Sequence, residues 1–202
     1  MDENHPLAIP GTAQKLWEAW KPYWEVNCPF LIEKSPPNLL RTRFLQKLFP
    51  QSWFIAILRH PIAVAYATQK WSKTGIPSLL RHTLQGYKIF WKDKEHLHRV
   101  LVLRYETLVS NPIGCVEGIL EWLGVSSQKF HFSLHIRPGI NAKYFAMWEA
   151  DRKRWWKRMF WWLKGGETKF NVWEAAARRF GYSLLHPGKL LPLPEEMVQN
   201  KR

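Results

Sequence analysis

The sequence predicts an α/β domain built on a parallel sheet, and three features predict it. The short, unbroken apolar runs "WFIAIL" (Trp53–Leu58) and "VLVLRYE" (Val100–Glu106) have the composition of strands buried on both faces of a sheet. Helical periodicities lie between and around them, so strands alternate with helices, as in βαβ units. Lys34 in "IEKSPPNLL" and Arg59 in "ILRHPIAVAYATQKW" each stand where an apolar run ends and a proline-bearing turn begins.

The elements can be justified in order. "GTAQKLWEAWKPYW" reads as a short helix capped near Thr12, with Leu16, Trp17, Trp20 and Trp24 along one side. "FLIE" (Phe30–Glu33) reads as a short buried strand. "NLLRTRFLQKLF" reads as a helix begun by Asn38 and stopped before Pro50. After the strand Trp53–Leu58, Pro61–Trp71 is a helix with proline in its first turn. Leu79 to about Leu97 is a longer helix, apolar at Leu80, Leu84, Tyr87 and Trp91. The strand Val100–Glu106 comes next. In "NPIGCVEGILEWLG", Asn111 is the N-cap, Pro112 the first helical residue and Gly124 the C-terminal stop.

From about Ser126 the alternation ends. "RPGINAKYFAMW" starts as a loop, Glu149–Lys164 is basic and tryptophan-rich, and Phe170–Phe180 is a helix ended by Gly181. The chain is thus expected to comprise an N-terminal helical segment (1–29), one α/β domain (30–185) and a proline-rich tail (186–202).

Composition bounds the function. With 202 residues, 46% of them apolar, the chain can bury a core. Thirteen tryptophans are too many to be buried together with every indole N–H paired. The net charge of +14 points to an anionic partner: a phosphate or sulfate ester, an acidic glycan, nucleic acid or an anionic membrane surface. Two cysteines and eight histidines show neither a disulfide framework nor ligand spacing, so no metal site is expected. No apolar stretch approaches the roughly 18 residues of a membrane span, and "MDENHPLAIPG" has neither the basic nor the apolar region of a signal peptide.

In α/β sheets, ligands bind beyond the carboxyl ends of the strands, where the N–H groups of a following helix meet an anion. Lys34 and Arg59 fall at that edge. Arg59 offers a planar fork that holds a phosphate in two places, and Lys34 a compact point charge. One basic residue at a strand end is as a rule a solvated charge. Two at equivalent ends of successive strands point to an anion site.

"EKSPPN", "FIAILRHPIAVAYATQKW" and "VLRYETLVSNP", in this order and spacing, resemble the sulfotransferase family. Its members move a sulfuryl group from 3′-phosphoadenosine 5′-phosphosulfate, a co-substrate, to a hydroxyl or amine without a metal. The likeness runs from Phe30 to about Trp122, and "KYFAMW" and "RRFGY" resemble the family's closing segments. It implies a P-loop NTPase-like three-layer fold.

The resemblance also implies roles for single residues. Arg59 matches the arginine that binds the donor's 3′-phosphate. The family's serine that shares this phosphate falls at Ala67, with Thr68 beside it. Lys34 matches a lysine near the sulfuryl group, where a cation stabilises charge developing on the bridging oxygen. Glu33 is read either as a partner of Lys34 or as a binder of the acceptor hydroxyl. Pro36 stands about where cytosolic relatives carry a catalytic histidine. Arg104, Tyr105 and Glu106 match a segment read as mainly structural. Asn141, Lys143 and Tyr144 are placed near the nucleotide end.

The family's first strand–loop–helix unit wraps the 5′-phosphosulfate with backbone N–H groups. Only 29 residues precede Phe30, and "IPGTAQK", the sole candidate loop, has no basic residue ahead of its Gly-Thr. The chain is therefore expected to be N-terminally truncated, with an apolar sheet surface left open. Full activity is accordingly in question, and a catalytically inactive nucleotide-binding relative is the alternative. A basic nucleic-acid-binding protein ranks behind both, for want of a recognised motif. "RKRWWKRMFWWLK" (152–164) is read as a helix packed on the domain, with a membrane surface, a partner or an acidic acceptor as further uses. The acceptor, whether small molecule, glycan or protein, is not encoded in these motifs. Neither is the oligomeric state or the compartment, which is Golgi if an N-terminal anchor exists and cytoplasmic otherwise.

Overall fold

The computed structural model describes residues 1–126, 139–156 and 166–192. In order, they form α1 (Pro10–Trp20), 3-10 turns at Lys21–Tyr23 and Pro36–Leu40, α2 (Thr42–Leu48), β1 (Phe54–Leu58), α3 (Pro61–Gln69) and α4 (Ile76–Lys94). Then come β2 (Val100–Arg104), α5 (Tyr105–Ser110), α6 (Pro112–Trp122), α7 (Ile140–Trp156) and α8 (Gly166–Arg178). β1 and β2 pair in a parallel two-stranded sheet, and α3 and α4 supply the crossover between them. The fold class is α/β, as the alternation of patterns predicts.

The described chain divides into two compact units. One comprises Met1–Ala56 and Gly86–Leu101, and the other Ile57–Gln85 with the described residues from Val102 onward. In the first, Phe44, Leu45 and Leu48 of α2 form a buried cluster, with Leu16 and Trp20 of α1, Phe49 and Phe54 packed against it. The Trp20 and Phe49 ring centroids are 5.5 Å apart. The Arg43 guanidinium pairs with Glu3 and lies 3.6 Å from Asp93.

In the second unit α3 packs on α7. Trp148 of α7 is fully buried, stacks on Phe170 of α8 at 6.2 Å, and donates its indole N–H to the Leu184 carbonyl at 2.8 Å. The Glu174 carboxylate receives the Ser183 hydroxyl at 2.9 Å and the Leu184 amide at 2.6 Å, which pins the turn that follows α8.

Several sequence expectations are corrected. Phe30–Glu33 is not a strand: Leu31–Ser35 has no regular structure, and the Ile32 carbonyl is taken by the Trp24 indole at 2.9 Å. An apolar run becomes a strand only through a ladder partner, and none pairs with it among the described residues. β1 is buried on one face only. Ala56 and Leu58 point into the core, whereas Ile55 and Ile57 are 41% and 49% exposed.

Other differences are local. α1 starts at Pro10 with Ile9 ahead of it, so Thr12 lies inside the helix, where proline's fixed φ suits the first position. Asn38 sits in a 3-10 turn, and α2 begins at Thr42. β2 stops at Arg104, because Tyr105 already opens α5. "NAKYFAMW" is helical from Ile140 rather than loop-like, and residues 157–164 and 193–202 fall outside the described residues.

The glycine stops are both found, with φ of +75° at Gly124 and +73° at Gly181. A Cβ at Gly124 would meet nothing within 4 Å, whereas at Gly181 it would collide with the Arg104 guanidinium. Gly124→Ala should therefore cost only the left-handed backbone term, about 1–2 kcal/mol. Gly181→Ala should cost clearly more and displace the Arg104 Nη2 bond to the Leu191 carbonyl (2.8 Å). Urea unfolding of the two variants side by side checks this ordering, and equal losses would contradict it.

Candidate anion-binding site

Arg59 follows the last residue of β1, and His60 caps α3 immediately after it. The His60 ring accepts the Ile62 amide at 3.2 Å, and Pro61 occupies the first helical position, where no N–H is needed. The His60 amide is itself donated to Oε1 of Glu106 at 2.9 Å. Glu106 belongs to the first turn of α5, directly after β2. One carboxylate thus links the exits of both strands.

The same carboxylate reaches the helix that carries the rest of the site. Asn141, in the first turn of α7, donates Nδ2 to Oε1 of Glu106 at 2.8 Å. Its Oδ1 accepts Nε and Nη2 of Arg59 at 2.9 and 2.7 Å. The carboxamide can sit only this way round, because the carboxylate needs a donor and the guanidinium an acceptor. The Tyr182 hydroxyl closes the group, 3.1 Å from Oε2 of Glu106 and 3.2 Å from the Leu58 carbonyl.

Aromatic rings surround the guanidinium. Arg59 Cζ lies 4.4 Å from the Tyr105 ring centroid and 5.7 Å from that of Tyr144. Tyr144 is buried and stacks on Tyr66 at 6.4 Å. The Tyr66 hydroxyl donates to Asp151 at 2.7 Å, and burial, then the neighbouring carboxylate, push its pKa up, so the phenol stays neutral. Two more cations approach the Tyr144 ring: Lys143 Nζ at 5.2 Å and Lys70 Nζ at 5.6 Å. Arg59, Lys70 and Lys143 therefore share one aromatic neighbour, a cationic surface suited to an anion.

Of the residues singled out in the sequence, Arg59, Asn141, Lys143 and Tyr144 come together here. On α3, Ala67 is half-buried and Thr68 exposed. Lys34 is exposed and Glu33 half-buried, in a stretch without regular structure rather than at a strand end. The Glu33 carboxylate accepts the Asn38 side-chain amide, and Lys34 forms no ion pair among the described residues. Both belong to the first unit, and the Arg59 group to the second. Lys70 was missed. Its signal was available in its place one helical turn beyond Tyr66. No group of three His, Cys, Asp or Glu side chains among the described residues could hold a metal ion.

The strand exits, the capped helix and the clustered cations define an α/β protein with a cationic edge. A model of the sulfotransferase family matches residues 1–129, which include Glu33, Lys34, Arg59 and Glu106. The chain belongs to the sulfotransferase family, whose fold is P-loop-like. Searches of curated proteins and of solved structures found no match.

His60 lends the site a pH dependence. Burial lowers its pKa from 6.5 to about 4, against the opposing bond to the Ser183 carbonyl at 3.2 Å. In the unfolded chain it titrates near the ordinary value, so unfolding takes up a proton between pH 6.5 and about 4. Above that window His60 adds no pH dependence. Within it stability falls as pH falls, by about 3 kcal/mol in all. His60→Asn keeps an acceptor for the Ile62 amide and should be less stable at neutral pH yet lose this share of the acid slope. Thermal melts of both proteins from pH 7 to pH 4 check it, and parallel slopes would refute it.

Proposed function

We propose that this chain serves the transfer of a sulfuryl group from 3′-phosphoadenosine 5′-phosphosulfate to a hydroxyl or amine, with Arg59 gripping the donor's 3′-phosphate. One observation carries the proposal: the Arg59 guanidinium is held at the β1 exit by Asn141, through Nε and Nη2. With two of its five N–H donors on Asn141, the guanidinium presents a fixed plane to an incoming phosphate. The cations Lys70 and Lys143 beside it suit a dianion. The Tyr105 and Tyr144 rings flank the guanidinium.

The chemistry is an in-line displacement at sulfur. The acceptor oxygen or nitrogen forms a bond to sulfur while the bond between sulfur and the 5′-phosphate oxygen breaks. That oxygen keeps the electron pair and leaves as 3′-phosphoadenosine 5′-phosphate, and the acceptor's proton passes to a base or to water, with Glu33 a candidate for binding the acceptor hydroxyl. No oxidation state changes. Lys34 would offset the negative charge growing on the bridging oxygen, a contribution made in the transition state rather than in the ground state.

Calorimetry with 3′-phosphoadenosine 5′-phosphate tests the reading. The unmodified chain should bind, Arg59→Ala should bind about 100-fold more weakly, the loss of two charge-assisted hydrogen bonds, and Arg59→Lys should fall between. Lys34→Ala should keep nucleotide affinity and lower sulfuryl transfer. Absence of nucleotide binding, or equal binding by Arg59→Ala, would sink the assignment. Binding without transfer to any acceptor would identify an inactive nucleotide-binding relative.

A further inference from the structure

The proposed grip on the 3′-phosphate has a gap at Ala67, whose methyl donates no hydrogen bond. Three residues on, Lys70 caps the C-terminal end of α3 and brings its ammonium to 5.6 Å from the Tyr144 ring. Lys143 reaches the same ring at 5.2 Å and Arg59 at 5.7 Å. The three come from different places: the β1 exit, the end of α3 and the first turn of α7.

Among the described residues no carboxylate neutralises the lysines. Neither Lys70 nor Lys143 forms an ion pair among the described residues. The acids nearest in the network are already engaged. Glu106 takes the His60 amide, Asn141 and the Tyr182 hydroxyl, and Asp151 takes the Tyr66 hydroxyl and lies 4.0 Å from Arg154. Both lysines are exposed, so a ligand can reach them. Three cations held around one ring repel each other, and a single dianion seated among them relieves that repulsion.

We infer that Lys70 supplies the phosphate donor that Ala67 lacks and with Arg59 and Lys143 forms a three-cation seat for the 3′-phosphate. This rests on the donor reading given above. A lysine does the work differently from a hydroxyl. It adds a full charge that acts over several ångströms, so binding through it depends on charge and on salt.

The experiment compares variants of the full chain by calorimetry against 3′-phosphoadenosine 5′-phosphate, adenosine 3′-phosphate and adenosine 5′-phosphate. Lys70→Ala and Lys70→Gln should weaken the two 3′-phosphorylated ligands about tenfold, one charge-assisted contact. Adenosine 5′-phosphate should be unaffected. Lys70→Arg should retain affinity, and Lys73→Ala, a nearby exposed lysine outside the site, should behave as the unmodified chain. The affinity of Lys70→Ala should also fall less steeply with added salt. If Lys70→Ala binds normally while Arg59→Ala does not, the role of Lys70 is wrong and the donor reading stands. Equal losses in Lys70→Ala and Lys73→Ala, or a loss confined to adenosine 5′-phosphate, overturn it as well. No binding by the unmodified chain removes the donor reading itself.

Discussion

The second unit depends on one carboxylate. Glu106 stands at the exit of β2 and receives the His60 amide from the exit of β1, the Asn141 carboxamide from α7 and the hydroxyl of Tyr182 beyond α8. These partners are 46, 35 and 76 residues away in the chain, so the contacts close large loops at a single point. His60 is fully buried. Without its acceptor, the His60 amide would cost about 1–3 kcal/mol as an unsatisfied buried group. That cost makes the turn after β1 adopt one geometry, and Arg59 lies inside that turn. The placing of Arg59 is thus a by-product of the way two strand ends are tied together.

How much of this was legible follows from the range of each interaction. Local devices were readable: Asn111 capping α6, Pro61 opening α3, and the left-handed glycines at 124 and 181 all act over a few residues. Arg59 was readable because its position relative to the strand and proline is local too. The link from Glu106 through Asn141 to Arg59 was not, since a polar contact across 82 residues leaves no periodic trace. The "FLIE" run failed for a related reason. Its composition is that of a strand, but strand formation is decided by a partner, and composition does not report one. The exposed face of β1 follows the same logic, because an unbroken apolar run says nothing of what lies against it.

Charge bookkeeping in the second unit shows how a basic chain keeps a cationic site. Three of its acids are spent on structure: Glu174 pins the turn after α8, Asp151 holds Tyr66, and Glu106 holds the strand exits. Glu174 and Asp151 also pair with Arg178 and Arg154, at 2.7 and 4.0 Å, but among the described residues neither pairs with Lys70 or Lys143. Aromatic rings take the adjoining space instead. Tyr105 and Tyr144 steady Arg59 at about 0.5–2 kcal/mol each for such partly buried contacts, without removing its charge.

Asn141 completes that logic. A direct Glu106–Arg59 bridge would fix the guanidinium just as firmly, but it would neutralise it, and an anionic ligand would then have to displace a carboxylate. The intervening carboxamide is neutral. It accepts from Arg59 on one side and donates to Glu106 on the other, so it passes orientation across the network while keeping the negative charge one residue away. An aspartate in its place would present a second carboxylate to Glu106 and repel it. An alanine would leave Arg59 without an anchor and Glu106 short of a donor. Among small side chains only an amide provides a donor and an acceptor on one rigid plane. A neutral relay between a structural acid and a guanidinium therefore orients both groups without adding a charge of its own.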